Sequence, residues 1–282
     1  MKILVFQHLK VEHSGVFGEF WREAGHEEHV VELDEGETIP DLDGFDMLAV
    51  MGGPMDVWQE DEHPWLVPEK AAIRRWVREL GRPYLGICLG HQLLADALGG
   101  KVGLMKMPEV GLASVELTAA GQGDPLFAGV AASLETLQWH GAEVSGLPVG
   151  GEVLAGNAAC AIQALRVGAR AYGFQYHMEI TDRTVADWSQ IPEYKASLER
   201  ALGAQAAARL GETVKPHLDG FRATARRIND NFFGATARQG VWQPSGGVRR
   251  RYSPPPGATP DGPTVKGGPP GQNPIPTPAS LT

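Results

Sequence analysis

The sequence predicts an α/β fold, with a central, mostly parallel sheet flanked by helices and mixed extra strands in its later half. Two observations predict it. Over the first hundred residues short apolar runs alternate with segments of helical period, the pattern of a sheet covered on both faces. At 84–98 an apolar run passes through Gly-x-Cys-x-Gly straight into a helical pattern, a strand–turn–helix junction of the kind open α/β sheets place at their strand ends.

The elements follow in order. Residues 2–6 read as a strand, 16–24 as a helix ended by Gly25, and 30–33 as a second strand. Residues 47–51 form a third strand, stopped by Gly52-Gly53-Pro54. Helical spacing runs over 69–80 through Ala72, Ile73, Trp76, Val77 and Leu80, with Gly81 as the stop. Residues 84–87 give another strand and 91–98 another helix, closed by Gly99-Gly100. Beyond Gly100 strands dominate, at 113–117, 134–139, 152–155, 161–165 and 171–176. From Thr184 the reading is helical again, at 184–190, 193–202, 204–210 and 221–233, and there is no internal repeat.

Composition divides the chain into a domain at 1–239 and a Pro/Gly-rich tail at 240–282. The tail holds 11 Pro and 8 Gly in 43 residues, with Ile275 and Leu281 almost its only large aliphatics, too little apolar area to offset the entropy of ordering. Its Arg249, Arg250, Arg251 and Lys266 against Asp261 give +3, so residues 1–239 carry −12 where the whole chain carries −9. Such an acidic body argues against binding nucleic acid or an anionic membrane surface and suits an enzyme of small molecules. Two cysteines are too few for a disulfide framework, and no apolar stretch nears the roughly 18 residues of a membrane span. With no leader pattern at 1–8, the expected location is the cytoplasm.

The chemistry concentrates at 84–94 (YLGICLGHQLL). Glycines on both sides of Cys88 allow a tight turn, and the sulfur then sits at a helix N-terminus whose free N–H groups and dipole attract negative charge. The Leu89 N–H points toward any oxyanion formed there. A lone cysteine is more often a small buried core residue, which is the expectation for Cys160 in the apolar run 158–165. The flanking glycines reverse that reading for Cys88. A second block, 172–179 (YGFQYHME), sets His177 and Glu179 two apart, on one face of a strand or turning together at its end. Histidine takes the thiol proton and returns it to a leaving amine, while a carboxylate orients the ring. The third block is Met51-Gly52-Gly53-Pro54-Met55.

These three blocks resemble the class I (triad) glutamine amidotransferases, most of all the amidotransferase domain of GMP synthase and its stand-alone relatives, over about residues 1–180. The resemblance implies a flavodoxin-like sheet and a triad of Cys88, His177 and Glu179. That triad commonly has Pro where this chain has Met178. It also implies an oxyanion hole from the N–H groups of Gly53 and Leu89, and substrate contacts from Gly52, Gln92 and His140. Read from the residues alone, Gln92 is equally a solvent-facing polar residue and His140 equally a loop residue. Pro108-Glu109-Val110-Gly111 lies where relatives contribute to the glutamine site, without individual roles assigned.

The implied activity is hydrolysis of the glutamine γ-amide through a Cys88 thioester, releasing glutamate and ammonia for a separate synthetase acting in trans. It needs no metal and no cofactor. Stand-alone hydrolysis of γ-glutamyl peptides or amines is the alternative. A non-catalytic binding module on this fold is a third reading, against which the intact Cys88, His177 and Glu179 weigh. Ser245-Gly246-Gly247 resembles a pyrophosphate-binding loop, but Arg249 and Arg250 stand where that loop has Asp and Ser. The cluster Glu60-Asp61-Glu62-His63 matches no helical metal-ligand spacing.

Overall fold

The computed structural model describes residues 1–238, so the predicted tail and its Ser245-Gly246-Gly247 loop lie outside the described residues. In chain order the elements begin β1 (Lys2–Gln7), α1 (Gly15–Glu23), β2 (Glu27–Glu32), β3 (Met47–Val50), α2 (Leu66–Arg74), β4 (Tyr84–Ile87) and α3 (Leu89–Ala97). They continue with β5 (Lys101–Leu117), α4 (Ala119–Gly123), β6 (Ser133–Gly146), β7 (Gly151–Gly156), β8 (Ala164–Val167) and β9 (Ala171–Phe174). The chain then turns helical through α5 (Thr184–Trp188), α6 (Pro192–Leu202), α7 (Ala204–Ala207), α8 (Leu210–Val214) and α9 (Leu218–Arg238).

The strands form one nine-stranded sheet in the order β2-β1-β3-β4-β9-β8-β7-β5-β6. Every pairing from β2 to β9 is parallel, and every pairing from β9 to β6 is antiparallel. The parallel part is double-sided. Ile3 and Val5 of β1 face the layer of α1 and α9, through Phe17, Phe20, Trp21 and Ile228. Leu4 and Phe6 of the same strand face the layer of α2 and α3, through Ile73, Trp76, Leu93 and Leu94. All four strand residues are fully buried, and each such side chain contributes about 1.5–3 kcal/mol of burial. A third apolar cluster joins β6 to the helices after β9 and includes Trp139, Trp188, Tyr194 and Leu198.

Several elements differ from the sequence-based expectation, two of them substantially. The strand expected at 113–117 runs from Lys101 to Leu117, pairing with the long β6, and its register shifts between Leu104 and Glu109. Gly103, Pro108 and Gly111 interrupt the apolar alternation there, and Leu104 and Met107 point outward, so no period-2 signal survives. The helix expected at 69–80 starts earlier, at Leu66, and its last six residues, Arg75–Leu80, widen to π geometry before Gly81 ends it at φ 58°.

Candidate active site

The site begins at the C-terminal end of β4. The Cys88 N–H bonds the Phe174 carbonyl at 2.7 Å, extending the β4–β9 pairing by one residue, and α3 starts at Leu89. Between these, Cys88 is forced to φ 50°, ψ −102°, and it is the one non-glycine residue with positive φ among the described residues. Strain of this kind, held in place by its surroundings, concentrates at functional positions. The flanking glycines are required by close approach. A Cβ on Gly90 would lie 2.1 Å from the Val50 carbonyl oxygen, and one on Gly86 would lie 2.5 Å from the Gly90 oxygen.

The chain leaves β9 at Phe174, and His177 and Glu179 lie just beyond the strand end, where they turn together. The His177 N–H bonds the Leu137 carbonyl of β6 at 2.8 Å, fixing the backbone. His177 Nδ1 is 2.6 Å from Glu179 Oε1, and the second Glu179 oxygen accepts the Met178 N–H at 2.9 Å. A carboxylate only accepts, so Nδ1 carries the proton of this bond and Nε2 is left for Cys88, with which the ring also interacts. Trp188 closes the ring in edge-on, 4.6 Å between centroids. Burial alone would lower the affinity of His177 for a proton. The Glu179 carboxylate, the Cys88 sulfur and the hydrogen bonds to both more than reverse this and hold its pKa well above the usual 6.5.

The start of α1 supports Glu179. The Val16 N–H bonds the Glu179 carbonyl at 2.8 Å, and Gly15, at φ 54°, leaves room for that oxygen where a Cβ would overlap it.

Gly53 borders the same cavity as Cys88, and its N–H has no hydrogen-bond partner among the described residues. Leu89, as the first residue of α3, has no carbonyl within the helix for its N–H. Gly52 does not line the cavity. It lies beneath Glu12, whose Oε2 would be 2.4 Å from a Cβ at that position. Gln92 is buried, not solvent-facing, and donates to the Ala142 carbonyl and to Gln175 Oε1, each at 3.1 Å. Gln175 in turn directs its amide N–H at the Cys88 sulfur, 3.7 Å away. His140 is buried on the cavity wall and contacts Glu109 Oε2 at 3.2 Å; Asn157 and Gln163 donate to the two oxygens of that carboxylate. Cys160 is buried, its thiol pushed up to about 12 by desolvation.

The cavity over Cys88 has a volume of about 340 Å³ and carries Gly53, Met55, Gln92, His140, Tyr194 and Arg200 on its wall. The sequence reading named no role for Gln175, Tyr194, His8 or Glu12. The signal was present for the last two, because they fall in the loop after β1, at the sheet edge where α/β folds build sites. Glu12 is buried under Tyr194, whose hydroxyl it accepts. Desolvation raises its pKa to about 7, against the lowering effect of His177 and that hydrogen bond.

An open sheet with a strained cysteine at a strand–helix junction, backed by a buried His–Glu pair, is the arrangement of an amidotransferase-type fold. Comparison with known proteins agrees. The family model described as glutamine amidotransferase class-I matches residues 19–187, and the chain belongs to that family. It is 32% identical over 195 residues to the glutamine amidotransferase-like protein YfeJ of Salmonella typhimurium, spanning 66% of this chain and 78% of that protein. It is 32% identical over 151 residues to a glutamine-hydrolysing GMP synthase subunit of Sulfolobus acidocaldarius, 53% of this chain and 76% of that one. The match to the GMP synthase of Thermomicrobium roseum covers 23% of that longer protein. Among solved structures, a glutamine amidotransferase from Thermotoga maritima superposes with TM-score 0.72 at 26% identity, covering 82% of this chain and 97% of that one. One from Methylobacillus flagellatus gives 0.74 at 25%, covering 89% and 99%. Among the described residues no helix is long and apolar enough to cross a membrane.

Proposed function

We propose that the protein hydrolyses a γ-glutamyl amide, glutamine first among them, through a thioester on Cys88. The observation that carries this reading is the contact chain from the strained Cys88 to His177 and on to Glu179, buried at the floor of an open cavity. The Cys88 thiolate attacks the γ-carbonyl carbon. The developing oxyanion takes the N–H groups of Gly53 and Leu89, a contribution on the order of 3–4 kcal/mol per donor. His177, whose hold on a proton is strengthened by Glu179 and Cys88, gives its proton to the departing nitrogen as the C–N bond breaks. Water, deprotonated by the same ring, then cleaves the thioester and frees glutamate. Gln175 donates to the sulfur and steadies it between the two steps.

In the leading form of this reading the ammonia passes to a separate synthetase, as the likeness to a glutamine-hydrolysing GMP synthase subunit suggests. A second reading is stand-alone hydrolysis of γ-glutamyl peptides or amines. It is favoured by α6, which lends Tyr194, Ser197 and Arg200 to the cavity wall and so gives a larger leaving group something to pack against. Release of ammonia and glutamate from glutamine, beside turnover of γ-glutamyl dipeptides, with Cys88→Ala as control, decides between them. Glutamine turnover that rises on adding a synthetase supports the first, and preference for dipeptides supports the second. Undiminished release by Cys88→Ala overturns both.

A further inference from the structure

Behind the cavity lies a second buried His–Glu pair that the mechanism above does not use. His8, in the loop after β1, is fully buried and stacks on Trp65 at 5.3 Å between ring centroids. Its Nε2 is 2.8 Å from Glu69 Oε1 and its Nδ1 is 2.9 Å from the Gly52 carbonyl oxygen. Both ring nitrogens therefore face acceptors. A neutral imidazole has one N–H and satisfies one of the two, so a proton is shared across the pair, either as His8 imidazolium or on Glu69. Burial works against the charged ring, but Glu69, the Gly52 carbonyl and the nearby Glu12 together raise its pKa above the usual 6.5.

A buried pair of this kind contributes little net stability, because desolvation offsets its attraction. The second Glu69 oxygen is buried with no hydrogen-bond partner among the described residues, so the network is not arranged for stability. What it fixes is a peptide plane. The carbonyl of Gly52 and the N–H of Gly53 belong to one trans peptide and point in opposite directions. Holding the oxygen against His8 turns that N–H away from His8. The side chains of Leu89 and His8 pack close around Gly53: a Cβ there would lie 2.9 Å from Leu89 Cδ2 and 3.1 Å from His8 Cβ.

We propose that the His8–Glu69 pair positions the oxyanion hole, gripping the Gly52 carbonyl so that the Gly53 N–H is aimed at the space above Cys88. A cationic or proton-sharing donor on the carbonyl also polarises the peptide and makes its N–H the better donor. His8 is a positioning residue and touches no substrate. The inference rests on the hydrolytic reading of the site.

The test compares two reactions of Cys88. p-Nitrophenyl acetate acylates the sulfur through a tetrahedral intermediate: the S–C bond forms, an oxyanion develops, and p-nitrophenolate leaves. Iodoacetamide alkylates by direct displacement of iodide and forms no oxyanion. In His8→Phe combined with Glu69→Leu, which removes both partners together, acylation is expected to fall at least tenfold while alkylation stays within twofold of wild type. Glu69→Gln keeps a hydrogen-bonded His8 against Gly52 and is expected to recover at least a third of the wild-type ratio of acylation to alkylation. If the double variant does not fold, His8→Leu combined with Glu69→Gln, which removes the donor and leaves no buried charge, carries the same comparison with the same two outcomes. A ratio within twofold of wild type in the variant lacking the pair overturns the inference, as does a wild type that iodoacetamide alkylates but the ester does not acylate. A wild type that is acylated yet hydrolyses no γ-glutamyl amide overturns the proposed function and leaves the positioning role standing.

Discussion

The Tyr194 hydroxyl, carried by α6, donates to the Glu12 carboxyl in the loop after β1, joining two segments 182 residues apart over the buried His177–Glu179 pair. Tyr194 also meets the rings of Trp139 and Trp188, and Trp188 closes on His177, so this hydrogen bond sits in the wall that keeps water from the His–Glu pair.

Glu12 gives a stability signature. Burial raises its pKa from the ordinary 4.5 to about 7. Between those values the folded state keeps a proton that the unfolded chain has lost, so stability falls as pH rises through that window, by up to about 3 kcal/mol, and is level above it. Glu12→Gln is neutral throughout and retains an acceptor for Tyr194. Its melting temperature relative to wild type is expected to rise by several degrees between pH 4 and pH 8, measured by calorimetry at each pH.

Glu179 holds the proton on His177. In Glu179→Gln the carboxylate that opposes desolvation is gone, and the ring loses its proton at lower pH. The alkaline limb of the pH–rate profile is expected to move down, with kcat/KM reduced on the order of 10²–10⁴-fold at neutral pH. Full pH profiles of both proteins check this.

The backbone strain at Cys88 is separable from its chemistry. At φ 50°, ψ −102° a side chain is disfavoured, and glycine is not. Cys88→Gly is expected to be more stable than Cys88→Ala by about 1–2 kcal/mol in urea unfolding, both being inactive.

Gly90→Ala puts a methyl group where the Val50 carbonyl oxygen stands, 2.1 Å away, between two backbone segments that have no rotamer to yield. The cost is expected to exceed about 3 kcal/mol, with loss of Cys88 reactivity toward iodoacetamide in whatever fraction still folds.

The sequence showed the strand–helix junction at Cys88 most clearly, because its geometry is written locally: Gly86 and Gly90 stand where backbones approach, and an apolar strand meets a helix around Cys88. The parallel half of the sheet was equally legible, since β1, β3 and β4 are buried on both faces and read as continuous apolar runs. Of the β5–β6 arm the segments 113–117 and 134–139 were legible and the rest was not, because the first half of β5 is partly exposed on both faces and bulged around Pro108. Of the buried polar cluster, Cys88, His177 and Glu179 stand in sequence motifs, and the fold brings them together. His8, Glu12 and Tyr194 stand in no motif; the place of the first two in the loop after β1 is the one mark they carry, and their meaning comes from contacts with Glu69, Gly52 and each other across 44 to 182 residues of chain.

The most direct measurement is mass spectrometry of protein acid-quenched during incubation with glutamine and with a chromogenic γ-glutamyl anilide. The account predicts a γ-glutamyl adduct on the peptide carrying Cys88, present in the wild type and absent from Cys88→Ala. Product release that continues in Cys88→Ala, or a wild type that no γ-glutamyl amide ever acylates at Cys88, would contradict it.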